Sequence, residues 1–172
     1  MKVLGLIVEY NPFHQGHLYH INKAKQLIKP DVTIVIMSGH FVQRGEPAIS
    51  NKWTRAGVAI KNGIDLVIEL PFVYSVQSAD YFAQGAIELL AKLKVTDIVF
   101  GSECGNINIF KDIAFTIKNN QKNYDNLVKK QMNQGLRYPD ACNQALSILM
   151  NKTVTTPNDL LGLAYVKEVI NH

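Results

Sequence analysis

Long apolar runs are missing from this chain. None of its hydrophobic stretches approaches the roughly 18 residues that cross a bilayer as a helix. Met1-Lys2-Val3-Leu4-Gly5-Leu6-Ile7-Val8 passes straight into a polar motif instead of a signal cleavage site, so a cytoplasmic setting without membrane contact is expected. Cysteine is scarce: Cys104 and Cys142 show no Cys-x-x-Cys or Cys/His zinc spacing, which leaves reduced, structural roles and no disulfide framework. Charge of one sign is not concentrated either. Eighteen Lys and Arg face 14 Asp and Glu, a net charge of +4 with a pI near 9.0, which allows an anionic partner without requiring one. Low-complexity linkers and solenoid-length repeats are absent as well. What is present, over 172 residues with 47% hydrophobic and 19% charged, is a globular composition with enough chain for a sizeable core.

Segments rich in Val, Ile and Leu alternate with segments of helical period. Strands are expected over Lys2 to Glu9, Val32 to Met37, Asp65 to Leu70 and Asp97 to Phe100. Between them, Leu18, Ile21, Ala24, Leu27 and Ile28 mark a helix from His17 that Pro30 stops, and helices are expected over Asn51 to Lys61 and Ser78 to Leu93. This order predicts an α/β fold, a doubly wound Rossmann-like parallel sheet of four strands with right-handed crossovers. From Ile107 the strand pattern ceases. Ile107 to Asn133 reads as one or two surface helices, with further helices over Tyr138 to Met150 and Pro157 to Ile170. The expected organisation is one domain, with βα repeats over 1–105 and extra C-terminal helices over 106–172.

In such sheets a ligand sits outside the carboxyl ends of the strands. Tyr10 to His17, Ser38 to Ser50, Pro71 to Ser78 and Gly101 to Gly105 all fall at that edge. The most distinctive of these contains His14-Gln15-Gly16-His17, two imidazoles three residues apart where a strand gives way to a helix. They lie on one face of the first turn, at the positive end of the helix dipole, and Gly16 lets a phosphate approach the backbone. A donor held where charge develops on an α-phosphate stabilises adenylyl transfer without a protein nucleophile. His14 and His17 are therefore the candidate catalytic residues, and His20 reads as a supporting residue. A zinc site from the three histidines would need a further convergent ligand, so no metal site is expected. Arg44 projects from the polar loop towards a carboxylate or phosphate; Lys52 and Arg55, three apart on one helical face, could meet an RNA backbone. Glu69 and Glu103, near strand ends, could bind a metal or act as bases, and the reading favoured for both is as acceptors for loop backbone. Gly101 gives room for adenine or ribose at the end of the fourth strand.

Val8-Glu9-Tyr10-Asn11-Pro12-Phe13-His14-Gln15-Gly16-His17, Ser38-Gly39-His40-Phe41-Val42-Gln43-Arg44-Gly45-Glu46-Pro47, Asp65 to Phe72, Phe100-Gly101-Ser102-Glu103 and Pro157 to Gly162 together resemble the tRNA(Met) cytidine acetate ligase family. The His-x-Gly-His element alone is shared by the wider HIGH-type nucleotidyltransferases; the Gln-Arg-Gly-Glu-Pro loop is the more specific part. The resemblance implies a HIGH-type nucleotidyltransferase domain and a reaction in two steps. Acetate attacks the α-phosphate of ATP to give acetyl-adenylate and pyrophosphate, and the N4 amine of the wobble cytidine of elongator tRNA(Met) takes the acetyl group. ATP would be a substrate, with Mg only as its counter-ion. The implied ATP-binding residues are Val8, Glu9, Tyr10, Asn11, Phe13, His14, Gly16, His17, His20, Gly101 and Asn158, and Arg44 would face acetate or tRNA.

Members of that superfamily carry a second phosphate-binding signature after a fifth strand. None occurs before His172, which predicts that part of the triphosphate clamp and much of the tRNA surface lie outside these residues. Two other classes share the motif. A small-molecule adenylyltransferase of cofactor metabolism would keep AMP in its product, whereas a non-catalytic nucleotide- or RNA-binding module would show neither exchange nor product.

Overall fold

The computed structural model describes residues 1–172, which form two compact units, Met1–Gly101 and Ser102–His172. In the first, the apolar runs become β1 (Val3–Val8), β2 (Val32–Ser38) and β3 (Leu66–Leu70). Both faces of β1 and β2 are covered, which is why their sequences lack alternation: Val3, Leu4, Leu6, Val35, Ile36 and Met37 are all buried. β4 (Asp97–Ile98) is shorter than its apolar run predicts. It pairs with β1 only at Leu4 opposite Asp97 and Gly5 opposite Ile98, and Val99 N reaches Gly5 O at a long 3.4 Å.

Every pairing is parallel, and the strand order is β3-β2-β1-β4, the four-stranded α/β sheet that the sequence predicts. The chain steps outward from β1 to β2 to β3 and then returns to the other side of β1. That reversal puts the switch of strand order between β1 and β4, and it is beyond the carboxyl ends at such a switch that open α/β sheets bind their ligands. The residues after Val8 and after Ile98 flank it.

Helices α1 (Gln15–Ile28) and α2 (Lys52–Lys61) cover one face, where Ile21, Ala24 and Ala59 join Leu4, Leu6, Val35 and Met37 in a single core cluster. Gly5 points to the opposite face. There α4 (Ala79–Lys92) comes so close that a Cβ on Gly5 would stand 2.9 Å from the side chains of Leu90 and Val95. A one-turn helix, α3 (Phe72–Ser75), interrupts the Pro71 loop; four residues are too few for periodicity to reveal it.

The second unit is helical: α5 (Ile107–Asn119), α6 (Gln121–Asn133), α7 (Tyr138–Met150) and α8 (Pro157–Asn171). The stretch expected to form surface helices breaks at Asn120 and buries Phe110, Ile113, Ala114, Ile117, Tyr124 and Val128. It is the core of this unit, with α5 against α8 and α6 against α7. The units part at Gly101, earlier than composition suggests, because Asp159 in the first turn of α8 accepts hydrogen bonds from Ser102, Glu103 and Cys104. No helix is long and apolar enough to cross a membrane.

Candidate active site

Beyond Val8 the chain turns sharply. Tyr10 adopts a φ of +51°, a left-handed conformation uncommon for a bulky residue, while its ring is driven into the core at 1% exposure. Phe13 and His17 meet that ring edge-on, with centroids 4.9 and 5.0 Å away. The side chain of Tyr10 is therefore a seat for the turn, where a nucleotide contact was expected. Phe13 and His17 are themselves 5.6 Å apart, so the three rings form a triangle.

The first helix begins before His17, at Gln15, because the two imidazoles cap it. His14 is the N-cap, with extended backbone, and its Nδ1 accepts from Gly16 N–H at 3.1 Å; His17 Nδ1 accepts from His14 N–H at 3.3 Å. This is a capping box in which histidines stand where Ser or Thr and Glu or Gln usually do. The rings stack, centroids 3.7 Å apart and planes at 23°. Because each Nδ1 is an acceptor, the neutral rings carry their protons on Nε2, across the ring from the backbone they cap. Two N–H donors are thus presented side by side at the positive end of α1. Burial, reinforced by the charges of His14 and His20, lowers the pKa of His17 to about 4, so this ring is neutral at neutral pH.

Gly16 is needed for a reason the sequence does not show. A Cβ there would stand 2.9 Å from His14 Cε1, so the bare α-carbon makes room for the imidazole before any ligand arrives. One turn further on, burial lowers the pKa of His20 against the opposing effect of the Val99 backbone, and its Nε2 has no hydrogen-bond partner.

Across the rim, Glu9 and Asn11 serve the loop after β2. Glu9 Oε1 accepts from Gln43 N at 2.6 Å and Asn11 Oδ1 from Ile49 N at 2.7 Å, so these side-chain oxygens are engaged with protein backbone. Held by those anchors, residues 40–48 fold into a small hairpin. Val42 N donates to Glu46 O, Gly45 N to Val42 O and Ala48 N to His40 O, all within 2.9 Å, with Gly45 at a φ of +81°. Arg44 sits at its tip, exposed and with no hydrogen bond or ion pair.

Arg55, expected on the surface beside Lys52, is 2% exposed. Its guanidinium donates to the carbonyls of Ser50 at 3.2 Å, Glu9 at 2.5 Å and Gly39, which leaves none of its face for RNA. Lys52, expected to face RNA, pairs instead with Glu69 at 2.5 Å, so Glu69 serves a lysine where loop backbone was expected; Lys52 also lies 5.2 Å from the ring centroid of the exposed Trp53. The spacing with Ala59, four residues on in the same buried stripe, is the signal by which the burial of Arg55 was legible.

Val8 is half-buried at the strand end, and Gly101 closes the first unit with nothing within 4 Å of a Cβ built on it. In the second unit Asn158 Nδ2 donates to Glu103 Oε1 at 2.9 Å, and the same carboxylate accepts from Asn158 N and Asp159 N. Glu103 thus caps the first turn of α8, as its reading as a backbone acceptor predicts. No group of three or more His, Cys, Asp or Glu side chains is arranged to hold a metal ion.

The family model described as HIGH Nucleotidyl Transferase matches residues 1–172. A protein of Thermosipho melanesiensis named tRNA(Met) cytidine acetate ligase is 52% identical over 177 residues, covering 99% of this chain and 42% of the relative. One of Halothermothrix orenii with the same name is 45% identical, covering 97% of this chain and 43% of the relative. The crystal structure of Thermotoga maritima TmcAL bound with alpha-thio ATP superposes with a TM-score of 0.87 at 40% identity, over 99% of this chain and 44% of that one. The chain therefore spans less than half the length of the relatives it matches.

Proposed function

Because this chain belongs to the HIGH nucleotidyl transferase family, we propose that it carries the nucleotide-activating chemistry of a tRNA(Met) cytidine acetate ligase. In this reading acetate attacks the α-phosphorus of ATP, the bond to the bridging oxygen of pyrophosphate breaks, and acetyl-adenylate forms. The N4 amine of the wobble cytidine of elongator tRNA(Met) then attacks the acetyl carbon and AMP leaves. The observation that carries the reading is the stacked His14/His17 pair, with both Nε2–H groups free at the head of α1 beside the switch of strand order.

The pair would bind the triphosphate and follow the negative charge that grows on the α-phosphoryl oxygens, with acetate held in line for attack. Neutral imidazoles suit this task, because a ring protonated at Nδ1 would lose its hold on the helix backbone. Gly101 would leave room for the adenosine, and Arg44 would face the carboxylate of acetate or a phosphate of the tRNA. Mg²⁺ enters only as the counter-ion of ATP. Residues 1–172 would then act as a single nucleotidyltransferase-like domain, in the cytoplasm where ATP and tRNA are found. The names of the relatives and the ATP analogue on the TmcAL neighbour support the reading.

The test is carboxylate-dependent exchange of labelled pyrophosphate into ATP, run across a panel of small acids with a protein of the relatives' full length alongside. The expected result is exchange with acetate, acetyl-AMP as its product, and AMP released when elongator tRNA(Met) is added. AMP retained in a product would favour the small-molecule adenylyltransferase, and ATP binding without exchange the non-catalytic module.

A further inference from the structure

We propose that Arg55 is a positioning residue that sets the 40–48 hairpin, and with it Arg44, against the anionic second reactant; this rests on the adenylate-forming reading above. The three carbonyls that its guanidinium joins come from three segments: Glu9 at the end of β1, Gly39 after β2 and Ser50 just before α2. Gly39 and Ser50 are the two roots of the hairpin. Glu9 and Asn11, on the phosphate turn, hold its arms through Gln43 and Ile49. One planar cation therefore ties the hairpin to the turn that bears His14 and His17. An ammonium cannot span three fixed acceptors in this way.

The imidazole pair is closed on itself. His14 and His17 cap α1 through their own backbone and use no atom of Arg55. Loosening Arg55 thus acts first on the hairpin, both of whose roots it holds, and reaches the phosphate turn only through the carbonyl of Glu9. At the hairpin tip Arg44 is exposed and unpaired, whereas Lys52 is engaged by Glu69. A guanidinium without a partner on a braced turn matches a carboxylate or a phosphate, the chemistry shared by acetate and an RNA backbone.

The experiment compares wild type, Arg55→Lys, Arg44→Ala and the double variant for ATP affinity, acetate-dependent exchange and acetyl transfer to tRNA. In Arg55→Lys the ATP affinity stays within about threefold of wild type, while exchange or transfer falls by up to about a hundredfold, the effect of a misplacement near 1 Å. The double variant loses no more than Arg44→Ala alone, because the two changes remove one contact. A rise in KM for acetate identifies the carboxylate as the anion, and a rise for tRNA the phosphate. Losses that multiply, an equal loss of ATP affinity, or full activity in Arg55→Lys overturn the proposal. If Arg55→Lys does not fold, Asn11→Ala, which frees the arm at Ile49, has to show the same coupling to Arg44. Lack of exchange in the wild-type protein fails the adenylate-forming reading, and the proposal with it; exchange with uncoupled losses fails the proposal alone.

Discussion

Replacing His17 by Ala lowers acetate-dependent pyrophosphate exchange by about 10² to 10³, the range for a lost donor to a developing oxyanion. His14→Ala falls in the same range. The two effects do not multiply, because the rings stack at 3.7 Å and His14 carries the backbone N–H that His17 caps, so either change disturbs the other ring. Loss of the cap itself costs about 1 kcal/mol of stability, too little to unfold the chain. His17→Gln separates the two roles. Glutamine is a natural third-position partner in a capping box and restores the helix start. It offers its amide from a different reach and orientation, so stability recovers and the rate does not. Exchange within threefold of wild type in His17→Ala, taking about 0.7 kcal/mol as the threshold of a meaningful effect, would remove the histidine pair from the chemistry.

Asp159→Ala destabilises the second unit by about 3 kcal/mol, measured by urea unfolding, because it leaves several donors stranded together. The residue is 7% exposed. It accepts from Ser102 Oγ at 2.6 Å, Thr156 Oγ1 at 2.7 Å, Glu103 N at 2.9 Å and Cys104 N at 3.2 Å. In return Glu103 caps Asn158 and Asp159, so the loop after β4 and the head of α8 clasp each other through two carboxylates. Asp159→Asn keeps the shape and one acceptor oxygen, and costs about half as much. The pH dependence follows from the same contacts. Burial alone would raise the carboxyl, but the bonds from Ser102, Thr156, Cys104 and Glu103 outweigh it and hold it below its ordinary value. The folded state thus binds its proton later than the unfolded one. The stabilisation is complete above the ordinary carboxyl range and is lost as pH falls through the lowered value. An Asp159→Ala variant within 0.5 kcal/mol of wild type, about the scatter for surface substitutions, would contradict the clasp.

The sheet was legible because parallel strands buried on both faces leave unbroken apolar runs, and β1 and β2 are of that kind. β4 was overestimated since Val99 and Phe100 continue its run, yet only two residues pair with β1. The rim was legible as a place but less so in detail. Charge and polarity on Glu9, Asn11 and Arg55 suggest ligand contacts, whereas folding spends these side chains on loop backbone that would otherwise be unsatisfied. Tyr10 followed the same course by burying its ring. Whether a polar side chain serves a ligand or the chain itself depends on partners distant in sequence, such as Glu9 with Gln43 or Ser102 with Asp159, and local patterns carry no record of them. The capping role of His14 and His17 had a local signature in its spacing, hidden because histidine is not the residue type usually found there.

The central claim, that two stacked imidazoles offer Nε2–H donors to a triphosphate, is tested most directly by nitrogen-15 NMR of the histidine side chains with and without ATP. In the free protein the neutral rings of both His14 and His17 should show unprotonated Nδ1 and protonated Nε2, and His17 should keep that form until pH approaches about 4. Addition of ATP should shift both Nε2 resonances. Protons on Nδ1, or Nε2 signals that ignore ATP, would contradict the account.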